Sequence, residues 1–431
     1  MLERKLIGNI LLEDEDSEEE SLMRYSKTKR HVLLNKDELT QLLERSTSAP
    51  ADIAPYPQLF SPKEPQYSNF SVIETFKPIQ IPNLNTAAPE FIPSVRSPTE
   101  NKRSELAEVR GRIAELARDQ AGSRFLQQKY EYAPVEDKQM VYEEILENSL
   151  GLIVDVFGNY VVQKVFEYGT KEHKRAIAHQ MTGKIVELSL HTYGCRVLQK
   201  VLDSVDMDQK RLIALEFHGN VEKAVEDQNG NHVIQKCIEI LPYNCISFIV
   251  EALKMNTVYW AEHQYGCRVI QRIIEYCPRD SIQLIFDLII RNSVEISMKN
   301  YGNYVIQHIL DKGGRQEKEE LINSFRTKLF ELSKHKFASN VIEKCFVVGS
   351  PEQVNAFAVE IFESPRVSEL MTDKFANFVI QKALEVSEGK LQAFLISKVS
   401  EKASSIRGYQ YGKHVLNCLE KIKSIKTKSS L

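Results

Sequence analysis

The chain has 431 residues, 42% apolar and 27% charged, enough for two or three ordinary domains or for one long repeat array with a sizeable core. Its formal net charge is −3, from 56 basic and 59 acidic residues, so it is no histone-like polycation, and attraction to nucleic acid has to come from a local patch. No stretch reaches the roughly 18 uninterrupted apolar residues of a membrane span. Seven cysteines without a C-x-x-C pair argue against a disulfide scaffold or a zinc site and fit a reducing cytosol or nucleus.

Residues 1–100 differ in kind from the rest. They hold 11 basic and 16 acidic residues, ten of the 15 prolines and one of the 18 glycines. The opening MLERKLIGNILLEDEDSEEE has a short apolar piece broken by Asn9 and followed by acids, which is not a secretory signal. The acidic run Glu13–Glu20 is followed by the basic MRYSKTKR, and from Pro50 to Pro98 prolines interrupt any helical or strand period. Low hydrophobicity with this much Pro, Ser and Glu predicts a disordered tail over 1–100. Within it, Phe70, Ile73 and Phe76 of NFSVIETF read either as a short partner motif or as part of a solvated spacer.

From residue 101 the chain repeats itself. One pentapeptide frame recurs as SRFLQ (Ser123), NYVVQ (Asn159), CRVLQ (Cys195), NHVIQ (Asn231), CRVIQ (Cys267), NYVIQ (Asn303), SNVIE (Ser339) and NFVIQ (Asn377). Six of the intervals are 36 residues and the seventh is 38; a degenerate ninth copy, KHVLN from Lys413, follows at 36. A small residue precedes each frame (Gly122, Gly158, Gly194, Gly230, Gly266, Gly302, Ala338, Ala376), and an aromatic usually precedes that. Two residues further back stands Asp119, Asp155, His191, Asp227, His263, His335 or Asp373, and Asp suits a helix N-cap there. The stretches between, such as DKQMVYEEILENSL and DQKRLIALEFHGNVEKAV, carry apolar residues at i, i+3, i+4 and i+7, the amphipathic-helix pattern. A unit of about 36 residues cannot bury its own apolar face, so units must stack, which aligns the same frame position of every unit along one surface.

Within a helix, frame positions one and five share a face, with position two beside them. Positions three and four are Phe, Val, Leu or Ile throughout and read as core. Position five is Gln127, Gln163, Gln199, Gln235, Gln271, Gln307, Glu343 and Gln381, a regularity that neither a core stripe nor a merely solvated face explains. Position two runs Arg124, Tyr160, Arg196, His232, Arg268, Tyr304, Asn340, Phe378; seven of these are planar cations or aromatics, the side chains that stack on nucleobases. Gln offers one donor and one acceptor, which fits the Watson–Crick edge of adenine and of uracil equally, so position one has to decide. There, Asn159, Asn231, Asn303 and Asn377 can reach across to a smaller pyrimidine, whereas Ser123, Cys195, Cys267 and Ser339 leave room for a purine. Glu343 accepts only and matches the two donors of guanine. One residue past the frame, Lys164, Lys200, Lys236, Arg272, Lys344 and Lys382 form a basic row that reads as phosphate contacts or as a solvated face.

These residues resemble the Pumilio (PUF) family of sequence-specific single-stranded RNA-binding proteins, over about residues 103–423. The resemblance implies an all-α fold: a right-handed, crescent-shaped α-solenoid of eight PUF repeats with flanking capping half-repeats. It would occupy 101–425, between the disordered tail and a disordered end at 426–431. It further implies one base per repeat, read antiparallel. Asn377, Gln381 and Phe378 would read U at the 5′ end, Ser339 and Glu343 G, Asn303 and Gln307 U, and Cys267 and Gln271 A. Asn231 and Gln235 would read U, Cys195 and Gln199 A, Asn159 and Gln163 U, and Ser123 and Gln127 A. The implied target is 5′-UGUAUAUA-3′, with the fifth base often tolerant in the family. Phe378 stands where the family usually has Tyr, which keeps the stack and loses a hydroxyl. The family's role implies binding of mRNA 3′ untranslated regions, with repression or decay through recruited deadenylation machinery.

An armadillo- or HEAT-like protein scaffold would not hold Gln and planar residues in register. A ribosome-assembly relative would show eroded reading residues, and a hydrolase would show a carboxylate cluster or a metal-ligand set. His191, His263 and His335 stand 72 residues apart, two periods, which makes them a repeat feature and not a metal site. No P-loop, G-x-S-x-G or H-E-x-x-H is present. No enzyme activity, cofactor, metal, membrane association or oligomerisation is expected; a monomer is.

Overall fold

A computed structural model describes residues 104–429. The chain divides into two units, Met1–Val95 and Arg96–Leu431, and the described residues fall in the second. The expected tail, with its acidic and basic runs and NFSVIETF, lies outside them. Among the described residues all regular structure is helical, with two short 3-10 turns at Arg279–Ile282 and Arg326–Lys328 and no strand.

The third unit illustrates the pattern: a short helix Ile185–Leu190, the frame helix Gly194–Ser204 and an outer helix Met207–Leu215. Asp206 starts the outer helix, its carboxylate accepting from the Gln209 amide at 3.0 Å; Thr170 and Ser350 cap other units' outer helices in the same way. The stretch DQKRLIALEFHGNVEKAV, read as one amphipathic run, is two helices, Met207–Leu215 and Val221–Glu226. They part at Gly219, whose φ of 80° lies in the left-handed region that only glycine adopts without strain. The equivalent turn at Gly183 is tied to the next unit, because Glu216 accepts from the Gly183 amide at 2.8 Å and the Ile185 amide at 3.1 Å.

The frame helices are Gln120–Tyr132, Gly158–Tyr168, Gly194–Ser204, Gly230–Ile240, Gly266–Tyr276, Gly302–Lys312, Ala338–Val348 and Ala376–Val386, each packed on the next. Frame positions three and four are core: Val161, Val162, Val197, Leu198, Val233, Ile234, Val269, Ile270, Val305, Ile306, Val341, Ile342, Val379 and Ile380 are buried. Only Phe125 of the first unit is partly open. Burying each such side chain contributes about 1.5–3 kcal/mol, and the contribution repeats at every unit, so the core is continuous along the stack. Trp260 is buried. The small residue before each frame is explained by crowding: a Cβ on Gly194 would lie 2.5 Å from the Leu188 carbonyl oxygen, and one on Gly230 2.6 Å from that of Ala224.

The final helix, Gln410–Ser429, runs past residue 425, where the sequence reading placed a disordered end. No glycine or proline follows Gly412 to stop it, and its lysine-rich end suits a helix C-terminus.

Candidate nucleic-acid interface

In seven of the eight units the frame helix is aimed by the residue four before position one; in the sixth that place holds Lys299, which makes no such cap. Asp155 accepts from the amides of Phe157 (2.8 Å) and Gly158 (2.7 Å), and Asp227 and Asp373 repeat the pattern. Asp119 accepts from Gly122 at 2.8 Å. The histidines do the same work: Nδ1 of His191, His263 and His335 accepts from the two amides at its own helix start, at 3.1–3.4 Å. These histidines are helix caps, the role expected of Asp at the same place. Among the described residues no group of three or more His, Cys, Asp or Glu is placed to hold a metal ion.

Position one is buried. Ser123, Asn159, Cys195, Asn231, Cys267, Asn303, Ser339 and Asn377 are all 0–4% exposed, where the sequence reading set them on the surface beside position five. The next unit closes over them, and their polar atoms are drawn to the turn beneath. Asn159 Nδ2 donates to the Asp155 carbonyl at 2.8 Å and the Val156 carbonyl at 3.1 Å. Two carbonyl partners fix which end of the amide is nitrogen. The oxygen that remains accepts from Gln163 Nε2 at 3.0 Å. Asn231, Asn303 and Asn377 make the same three bonds with Gln235, Gln307 and Gln381. Gln163, Gln235 and Gln307 are each left with one N–H and the carbonyl to offer outward, while Gln381 Nε2 also donates to the Asn377 carbonyl at 3.3 Å.

The other units lock position five differently. Gln127 Nε2 donates to Ser123 Oγ (3.1 Å), which itself donates to the Phe157 carbonyl of the next unit (3.0 Å). Gln199 Nε2 donates to the Cys195 carbonyl at 3.1 Å. Gln271 Nε2 is buried with no protein partner. The thiols of Cys195 and Cys267 point at the Thr192 and Gln264 carbonyls, and burial raises both above the ordinary thiol range. Glu343 is held above the ordinary carboxylate value, chiefly by burial and against the pull of Lys382.

Position two faces solvent in every unit: Arg124, Arg196, His232, Arg268 and Asn340 are exposed, as are Tyr160 (52%), Tyr304 (49%) and Phe378 (52%). Three exposed aromatics at one helical register, each anchored on a packed helix, form a set of flat apolar platforms. Neighbouring platforms meet: the Arg268 guanidinium lies 5.7 Å from the Tyr304 ring centre. Burial and the Arg196 guanidinium depress His232, which keeps its ring neutral near pH 7.

The basic row forms ion pairs. Lys200 pairs with Glu167 (2.6 Å), Lys236 with Asp203 (2.6 Å) and Lys344 with Asp311 of the preceding unit, while Lys164 and Arg272 lie 3.7 Å from Glu131 and Glu239 of the preceding unit and closer to Glu167 (2.8 Å) and Glu275 (3.1 Å) of their own helices. His308 approaches Glu275 at 3.7 Å, and Lys382 pairs with Glu385 in its own helix at 2.9 Å. These acids stand eight residues after position one of their frames, with the period of the frame itself. That period was available in the sequence and was missed, because a cation has an equally good reading as a phosphate contact until its neighbour is placed.

The arrangement is therefore a row of eight amide or carboxylate edges flanked by exposed planar side chains, at one set per unit. A model of the Pumilio-family RNA binding repeat matches residues 112–146, 149–182, 184–218, 226–253, 256–290, 292–324, 328–362 and 366–400. Pumilio homolog 12 of Arabidopsis thaliana is 34% identical over 100 residues, 23% of this chain and 17% of that protein. The mRNA-binding protein PUF3 of Saccharomyces cerevisiae is 36% identical over 91 residues, 18% of this chain and 10% of its own length. The matched segments thus span a minor part of these curated relatives. Among solved structures, the Puf3 RNA binding domain bound to a Cox17 RNA 3′ UTR recognition sequence aligns with a TM-score of 0.67 and 34% identity, covering 74% of this chain and 97% of that one. PUF-8 in complex with PBE-RNA aligns with a TM-score of 0.71 and 33% identity, covering 74% and 96%. Eight matched repeats, the common fold and the intact reading frames place this chain in the Pumilio family of RNA-binding repeat proteins.

Proposed function

We propose that the array binds single-stranded RNA with one base per unit, antiparallel to the chain, and that its preferred sequence is 5′-UGUAUAUA-3′. The observation that carries this reading is the register itself. In all eight units an exposed position two stands beside a position-five edge that is partly open to solvent, or in the case of Gln271 buried. Units with Asn at position one present a locked amide to uracil. Units with Ser or Cys and Gln leave room for adenine, and the half-buried Glu343 presents an acceptor-only edge to guanine. Affinity comes from stacking, at about 1–3 kcal/mol per base.

The targets on this reading are mRNA 3′ untranslated regions in the cytoplasm, bound by a monomer that recruits deadenylation machinery for repression or decay. The likeness to a domain bound to a 3′ UTR recognition sequence supports the first part of that reading. The test is fluorescence anisotropy at fixed salt with the full chain. The RNAs are labelled UGUAUAUA and the same oligomer with UGU changed to ACA. Tight binding to the first and a large loss on the second are expected; equal affinities would overturn sequence reading.

A further inference from the structure

The acids of the ion-pair row have one gap. Position nine of the frame is Glu131, Glu167, Asp203, Glu239, Glu275, Asp311 and Glu385 in every unit but the seventh, where Val347 stands. The seventh is also the unit whose position five is Glu343 and not Gln. Positions five and nine are i and i+4 on one helix face, so each unit carries a single carboxylate there: at nine in seven units, at five in this one. Val347 is 56% exposed, so packing does not demand a valine. An acid in its place would face Glu343 across one helical turn, a spacing at which like charges repel. In the rest of the row the next unit's cation reaches position nine, as Lys200 reaches Glu167 and Lys344 reaches Asp311. At the seventh unit that cation is Lys382, which meets a valine. It pairs with Glu385 of its own helix at 2.9 Å, and the carboxylate left to it in the preceding unit is Glu343.

We propose that Val347 and Lys382 are positioning residues for guanine: with no acid at position nine to engage it, Lys382 serves as counter-charge to the base-reading carboxylate of Glu343. The proposal rests on the RNA reading above. Burial pushes the Glu343 carboxyl up, Lys382 pulls it down and Glu385 pushes it up. The other charged groups of the helices packed around it turn elsewhere: Asp311 to Lys344, His308 toward Glu275, Glu360 toward Arg326 (3.8 Å) and Glu331 toward Arg366. A base closing over Glu343 removes further water from it, so its counter-charge counts for more in the complex than in the free chain. A protonated carboxyl would set an O–H against a guanine donor, so preference for guanine tracks the ionised fraction.

The experiment uses the full chain and anisotropy at fixed salt, with UGUAUAUA and UUUAUAUA titrated across pH and thermal melts to report folding. The natural chain should lose preference for UGUAUAUA as pH falls from about 7 to about 5. Val347→Glu and Lys382→Met should each move that loss up by about half a pH unit or more, about threefold in the preference within the window. Lys382→Arg, which keeps the charge, should hold the profile of the natural chain. In the Ser339→Asn, Glu343→Gln background, which has no carboxylate to support, Val347→Glu should leave the preference unmoved at every pH. An unmoved profile in Val347→Glu would overturn the proposal. So would a Lys382→Met chain that weakens on both RNAs equally and loses salt dependence, the mark of a phosphate contact. Absence of any preference for UGUAUAUA in the natural chain would instead sink the underlying RNA reading, and this role with it.

Discussion

The seventh unit allows the base code to be rewritten at one position. In the paired change Ser339→Asn with Glu343→Gln, the new Asn side chain would find the His335 and Lys336 carbonyls where Asn159 finds those of Asp155 and Val156, and its oxygen would lock the new glutamine as Gln163 is locked. On the proposed reading the wild-type carboxylate would accept from two guanine donors. The locked amide offers one N–H and one oxygen, which leaves a guanine donor facing a donor and matches uracil instead. A bidentate match is worth about 1–3 kcal/mol of discrimination, lost for one base and gained for the other. The preference should therefore swing by about 2–6 kcal/mol, at least about thirtyfold in the ratio of dissociation constants. Anisotropy titrations of UGUAUAUA against UUUAUAUA measure that ratio, with a thermal melt to confirm folding. Only the ionised Glu343 can accept from both guanine donors, and burial has raised its pKa in the free protein. The complex then holds fewer protons than its parts, so wild-type affinity for UGUAUAUA should fall as pH drops from about 7 to about 5 by more than that of the double variant for UUUAUAUA. A double variant that still prefers guanine would refute the code and the lock together.

Three further outcomes follow from the geometry. Tyr304→Ala removes a platform that is 49% exposed and should weaken RNA binding by about 1–3 kcal/mol; unchanged affinity would take Tyr304 out of the stack. Lys200→Met breaks the 2.6 Å pair with Glu167, both side chains about 30% exposed, and should lower unfolding stability by no more than about 1 kcal/mol. It should leave the salt dependence of RNA binding unchanged, whereas loss of a phosphate contact would reduce the slope by about 0.7. Burial depresses His335 below its ordinary 6.5, so the unfolded chain binds its proton first; stability is full above about that pH and falls as pH drops through the lower folded value. Chemical denaturation across that window should show the decline, and His335→Asp, which restores the cap used in four other units, should flatten it.

Much of this was legible in one dimension. The 36-residue period, the buried pair at positions three and four, the caps and the planar row are all set within a single helix turn or a single repeat. They follow from residue type and i, i+4 geometry, and the sequence determined them. What tertiary structure decided lies between units. It sank position one beneath the next helix, turning a supposed surface reader into the residue that holds the amide above it. It also brought Lys200 onto Glu167, leaving the row's cations on carboxylates. Burial and charge pairing depend on which neighbour covers a side chain, and a repeat contains no information about its cover until the next unit is stacked against it.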